Sequence, residues 1–180
     1  MGMVCVIQAL TERQIAALRA KPRLTLDVIS AHYDKKAETL FDEPLCEQLD
    51  LDKCWDILRF LLLSAAGEID SPDRNDWSSE LLFRKSIGQN TGYGRPYLRS
   101  IAETQEFAAF LHPLTLDQLL SHFNCQEMLE EKVYGVWRHD VGNEKREREI
   151  RKYASFYYPE LRDYVVKAAA SQCGLLLAIC

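Results

Sequence analysis

The run Leu49-Asp50-Leu51-Asp52-Lys53-Cys54-Trp55-Asp56-Ile57-Leu58-Arg59-Phe60-Leu61-Leu62-Leu63-Ser64 constrains the fold more than any other part of the chain. Its apolar residues at Leu51, Trp55, Leu58, Leu62 and Ala65 repeat at the one-face spacing of an amphipathic helix. Asp50 stands just before this pattern, where a carboxylate accepts from a free first-turn amide and favours the positive end of the helix dipole. From Phe60 to Ala66 every residue except Ser64 is apolar, so the second half of the helix is expected to be buried on every side. The first half leaves Asp52, Asp56 and Arg59 on one polar stripe beside the large ring of Trp55. A chain of 180 residues, 47% of them hydrophobic, holds one full core, and a single domain over 1–180 is expected.

Charge is unevenly placed along that domain. The whole chain carries −5, which argues against non-specific binding to nucleic acid or to an anionic membrane. Residues 38–80 hold twelve acids against Lys53, Arg59 and Arg74, a net −9, so the remainder is cationic. Such a segment is either a solvated face or a surface that steers a basic partner. The six cysteines, Cys5, Cys46, Cys54, Cys125, Cys173 and Cys180, contain no C-x-x-C pair. Reduced thiols in a cytoplasmic protein are expected, with Cys54 and Cys173 buried in apolar helical patterns. No apolar run reaches the length of a membrane span.

Taken in order, Val4 to Leu10 is short, β-branched at its start and nearly all apolar, as a central strand should be. Thr11 offers a hydroxyl cap to a following helix, with Gln14 at the capping-box position. A second helix is expected from Leu24 to about Tyr33, with Leu26 and Ile29 inward, then a polar connection over 35–48. After the Leu51 helix, the breaker residues Gly67, Ser71-Pro72 and Asn75 predict a loop, and 77–85 a short helix. Residues 96–100 read as extended, 101–112 as an amphipathic helix, and shorter helices follow Thr115 and Asn124. The longest helical pattern begins near Asn143. Its Glu144–Arg148, Lys145–Glu149 and Glu147–Arg151 spacings predict ion pairs, and Pro159 is expected to kink or split it. A last buried strand runs from Leu175 to Ile179.

Motifs for chemistry are sparse. His32, His112, His122 and His139 are scattered without metal-ligand spacing, so no metal is expected. Residues 88–94 contain three glycines but no Gly-Lys-Ser/Thr and no following helix start, which makes them a turn and not a phosphate loop. No G-x-S-x-G elbow or S-x-x-K is present, and no cofactor is implied. Asp56 and Arg59 read most simply as a surface ion pair. Together with Asp52, Trp55, Tyr93, Arg95 and Trp137 they are the candidate binding residues, aromatic anchors with a charged rim.

Several pieces together resemble the YfbM-like family of bacterial proteins, small cytoplasmic domains without an assigned activity. They are Met1-Gly2-Met3 before a strand, Leu49 to Trp55 opening a helix, and Gly92-Tyr93-Gly94 before Tyr97-Leu98 and a helix. Val133-Tyr134-Gly135-Val136-Trp137, and a helix plus final strand from Tyr157 to Ile179, complete the set. The family pattern often places histidines after the tryptophan and three residues later. Here those positions are Asp56 and Arg59, so no role of that pair transfers. The resemblance implies an α+β fold, with a small β-sheet packed against surrounding helices, and it implies no function.

The expected protein is therefore a mostly helical α+β domain acting as a non-catalytic interaction protein. One concrete version is an immunity-type protein that neutralises a partner toxin or effector, a basic protein covered by the 38–80 acids. The alternative is a small enzyme or small-ligand-binding protein with a cleft between the Leu51 helix and the 88–95 loop.

Overall fold

The computed structural model describes residues 2–30, 41, 43–67 and 85–180. Strand β1 (Cys5–Leu10) leads into helix α1 (Glu12–Ala20), which Thr11 and Gln14 open with the expected capping box. Helix α2 (Leu24–Ser30) follows, burying Thr25, Val28 and Ile29 where Leu26 was expected beside Ile29. Strand β2 (Gln48–Asp50) runs into a 3-10 turn (Asp52–Cys54) and helix α3 (Trp55–Ala66). Strands β3 (Lys85–Ser86) and β4 (Tyr97–Arg99) precede α4 (Ile101–Leu111), α5 (Leu116–Ser121) and α6 (Cys125–Glu130). The long α7 (Glu144–Ala170) then returns the chain to β5 (Gly174–Ile179).

The strands form one antiparallel sheet in the order β2-β1-β5-β4-β3, so the first and last long strands pair at its centre. Ile7 stands opposite Leu177 on one side and Leu49 on the other. Both central strands are buried on two faces, which is why they read as apolar runs and not as an alternation. Cys5, Ile7, Ala9, Leu175, Leu177 and Ile179 face a large core with α3, α4, α5, α6 and α7. Val6, Leu10, Leu176 and Ala178 face a smaller one with Ile15, Leu18, Val28 and Ile29 of α1 and α2. Gly174 begins β5 where an added Cβ would lie 2.4 Å from the Arg99 carbonyl oxygen, so only glycine lets the two strands approach.

Helix α3 is the hub of the larger core. Leu51, Trp55, Leu58 and Leu62 are all buried, as their spacing demands, and so are Phe60, Leu61 and Leu63. Gly67, at φ 73°, ends the helix in the left-handed conformation that a residue with a Cβ resists.

The structure corrects several expectations. Residues 48–50 are a strand and not the end of a polar connection followed by a helix start, because three residues suffice to pair with β1. Two of the i,i+4 pairs expected on α7 give way to other contacts: Glu149 pairs with Arg146, Glu147 accepts from the Gly142 amide, and the Arg151 guanidinium stacks 4.2 Å from the Phe123 ring centre. Pro159 does not split α7, which runs unbroken through 27 residues. On either side of it Tyr158 and Leu161 are fully buried, and the Tyr158 hydroxyl donates to the Leu114 carbonyl at 2.6 Å. That tertiary clamp outweighs the hydrogen bond the proline removes. The helix expected over 77–85 lies outside the described residues except for Lys85, which is in β3. The 68–76 loop and seven of the twelve acids of 38–80 also lie outside them.

Candidate functional site

One helical turn separates two carboxylates with different fates. Asp56 is 1% exposed, which places it in the protein and not on a polar stripe. Its Oδ1 accepts from Arg59 Nε at 2.5 Å and its Oδ2 from the Tyr134 amide at 2.6 Å. The expected surface pair is thus a buried one, and its carboxylate ties α3 to the 133–142 turns. The neighbouring Trp55 is equally buried, donates from its indole to the Met3 carbonyl at 3.3 Å, and stacks on the Tyr134 ring at 6.4 Å.

Asp52, one turn earlier, is half-buried at φ 46°, a left-handed conformation that aspartate tolerates better than most residues. Asp50 accepts from the Asp52 amide at 2.7 Å, so it closes this 3-10 turn and not the start of α3, whose N-cap Cys54 makes no side-chain cap bond. The Asp52 Oδ2 accepts from the Tyr153 hydroxyl at 2.6 Å, and that hydroxyl accepts from the Lys53 amide at 3.3 Å. Burial and the Asp52 carboxylate together push the Tyr153 phenol well above its ordinary range, so it stays a donor.

Asp52 opens onto a groove of about 550 Å³ lined by Lys53, Tyr134, Trp137, Arg146, Glu149 and Tyr153. Trp137 is 55% exposed on this rim. The turn that displays it is fixed by Asp140, a fully buried carboxylate that accepts from the Trp137 amide at 2.8 Å and from Arg146 Nε at 2.9 Å. Burial opposes the charge of Asp140, but the Arg146 and Trp137 hydrogen bonds outweigh it and hold the carboxyl below its usual range. From the groove the aromatic surface continues along α7. Tyr153 meets Tyr157 edge to face at 5.1 Å, and Tyr157 meets Phe156, which is 61% exposed, at 5.0 Å. Asp50, Asp52 and Glu160 all raise the Tyr157 phenol, after burial itself, so carboxylates flank this aromatic row.

Of the seven residues singled out in the sequence, only Asp52 and Trp137 line this groove. Trp55 and Asp56 lie behind Tyr134 in the core and cannot line an open cleft. Arg59 is spent on Asp56, with its side chain 16% exposed. Tyr93 and Arg95 are exposed on the loop between β3 and β4, which is held to the end of β5 by the Thr91 hydroxyl donating to the Ile179 carbonyl at 2.5 Å. Tyr153, Phe156, Tyr157 and Asp140 went unnoticed. The first three recur at i, i+3 and i+4 on one helix face, a legible signal obscured by the charged residues around them. Asp140 follows Trp137 by three residues, a turn spacing whose partner Arg146 only the fold supplies.

Among the described residues, no cluster of three or more His, Cys, Asp or Glu could hold a metal ion, and no helix is long and apolar enough to cross a membrane.

A five-stranded antiparallel sheet carrying a helical layer around α3 and α7 defines an α+β domain. The chain belongs to the DUF1877 family, a domain of unknown function whose model matches residues 1–178. It is similar in structure to YfbM, a protein of unknown function from Escherichia coli, with a TM-score of 0.66 at 19% identity. The match covers 98% of this chain and 99% of that one and bears out the α+β fold expected from the sequence, while the family model bears out the resemblance. No curated protein matches the chain.

Proposed function

We propose that this domain is a non-catalytic interaction protein whose contact face is the Trp137 groove and the aromatic row of α7, and that it receives a basic segment of a protein partner. The observation that carries this reading is the exposed Trp137, presented by a turn that Asp140 holds rigid. A rigid, half-exposed aromatic beside a concave surface is the residue type that anchors protein interfaces. Asp50, Asp52, Glu149 and Glu160 supply the negative flank, and the ring faces of Trp137 and Tyr153 favour a cation. Arg146 is already engaged by Asp140 and Glu149, at 2.9 and 2.7 Å, which leaves Lys53 as the opposing charge in the groove.

An immunity-type protein covering a basic toxin surface remains the concrete form of this function. Its support moves from the length of the acidic segment to the groove, since Asp56 is neutralised in the core. Matched baits test the reading: wild type, Trp137→Ala and Asp52→Lys, each immobilised and exposed to native lysate at low salt. A basic protein retained by the wild type and lost by both variants is the expected result. Its association should slow as salt rises to about 0.15 M, where exposed charges more than a Debye length apart are screened. The same proteins recovered on all three baits would overturn the assignment of the face.

A further inference from the structure

On the opposite end of α7 lies a cavity of about 590 Å³ that the groove does not use, and two thiols line it. Cys46 is exposed and Cys173 is buried, and both line this one cavity. Cys46 lies two residues before β2 and Cys173 one residue before β5, and those strands flank β1 on its two sides. Both cysteines converge on the end of β1 at Ala9, whose small side chain leaves the space open.

Their backbones are held in place by several anchors. Gln8 Nε2 donates to the Cys46 carbonyl at 2.8 Å, and the Tyr164 hydroxyl donates to the Glu47 carbonyl at 2.9 Å while accepting from the Ala9 amide at 2.8 Å. The Cys173 amide donates to the Ala168 carbonyl at 2.9 Å, and its thiol to the Ser171 carbonyl at 3.5 Å.

We propose that Cys46 and Cys173 form a reversible dithiol–disulfide site oxidised by hydroperoxides. Cys46, the accessible thiol, attacks the terminal oxygen of the hydroperoxide as its thiolate. The O–O bond breaks, an alcohol or water leaves with a solvent proton, and Cys46 becomes a sulfenic acid. The Cys173 sulfur then attacks the Cys46 sulfur, the S–O bond breaks, and the departing hydroxide takes the Cys173 proton as water. Two thiols lose two electrons to one hydroperoxide, and the new S–S bond ties the approach to β2 to the start of β5 across β1. Burial first, with Cys46 and Glu43 adding, holds the Cys173 thiol above its ordinary range, which suits a resolving thiol and not the attacking one.

The other cysteines are placed differently. Cys5, Cys54 and Cys125 are buried, and Cys5 faces the large core while Cys180 packs against the small one on the other side of the sheet.

The test treats the full chain with one equivalent of hydrogen peroxide and maps its peptides without reduction. The expected product is one intramolecular link between the Cys46 and Cys173 peptides, with two of the six thiols lost and both restored by dithiothreitol. Cys46→Ser, at an exposed position, should fold normally and keep its other thiols free under the same treatment. Cys173→Ser should stop at a Cys46 sulfenic acid trapped by dimedone. A wild-type product in which Cys46 is sulfinic acid without a link, or in which Cys5 joins Cys180, or Cys46 joins a second chain, overturns the proposal. The wild-type map decides this even where Cys173→Ser fails to fold, and it is independent of the Trp137 face.

Discussion

Two layers of the molecule, one helical turn apart, use the same residue types to opposite ends. In the inner layer Trp55 and Asp56 are both 1% exposed, and each is satisfied by groups from distant chain segments. In the outer layer Asp52 and Trp137 carry the same side chains, but the indole is open to solvent and the carboxylate faces a groove. The residue type therefore says little about role. What decides it is whether the surrounding segments close over the side chain. Removing an inner group leaves buried partners without compensation, whereas removing an outer one returns its partner to water.

The largest effects should come from the inner layer. Asp56→Ala strands the Arg59 guanidinium and the Tyr134 amide, and should cost about 3–5 kcal/mol, the range for breaking a buried pair. Trp55→Ala should cost a similar ~3–5 kcal/mol through the cavity it leaves. Urea unfolding at unchanged slope measures both, and either change costing under about 1 kcal/mol would erase the distinction between the layers.

Asp140 connects them, and its contribution should depend on pH. Its carboxyl is held low in the folded protein, so the stabilisation is present above the unfolded value and lost as pH falls through the folded one. Asp140→Asn should cost about 1.5 kcal/mol near neutrality and flatten the loss of stability below about pH 4. Parallel acid-unfolding curves for variant and wild type would show that Asp140 is not the group responsible.

Smaller effects belong to the groove. Tyr153→Phe removes the hydroxyl between Asp52 and the Lys53 amide, and should cost about 1 kcal/mol by thermal unfolding. Trp137→Ala should change stability by less than about 0.5 kcal/mol, as expected of an exposed residue, while weakening a bound partner by about 2 kcal/mol. A stability loss as large as that of Trp55→Ala would place Trp137 in the core after all.

The legible parts of the fold were those with strong local signals. Thr11 with Gln14, the apolar runs of β1 and β5, and the Leu51–Leu62 face each state their structure within a few residues. Short strands such as β2 were not legible, because three residues acquire an identity only from the strand they pair with. The site was less legible still. Asp56 and Arg59 at i,i+3 look like any surface pair, and nothing nearby in sequence announces that Tyr134 will close over them. Tyr93 and Arg95 beside three glycines resemble a binding loop, yet the sheet carries them to the β3–β4 connection.

The sequence by itself determined that this is one α+β domain with a buried helix at 55–66 and two central strands, because periodicity and caps act within a few residues. Only the tertiary structure decided which aspartate and which tryptophan face solvent. That choice depends on the 133–142 turns and on α7, which reach Asp56 and Asp52 through contacts 78 and 101 residues apart in the chain and meet them only once the chain has folded. Burial is a property of the whole packing, and no local pattern encodes it.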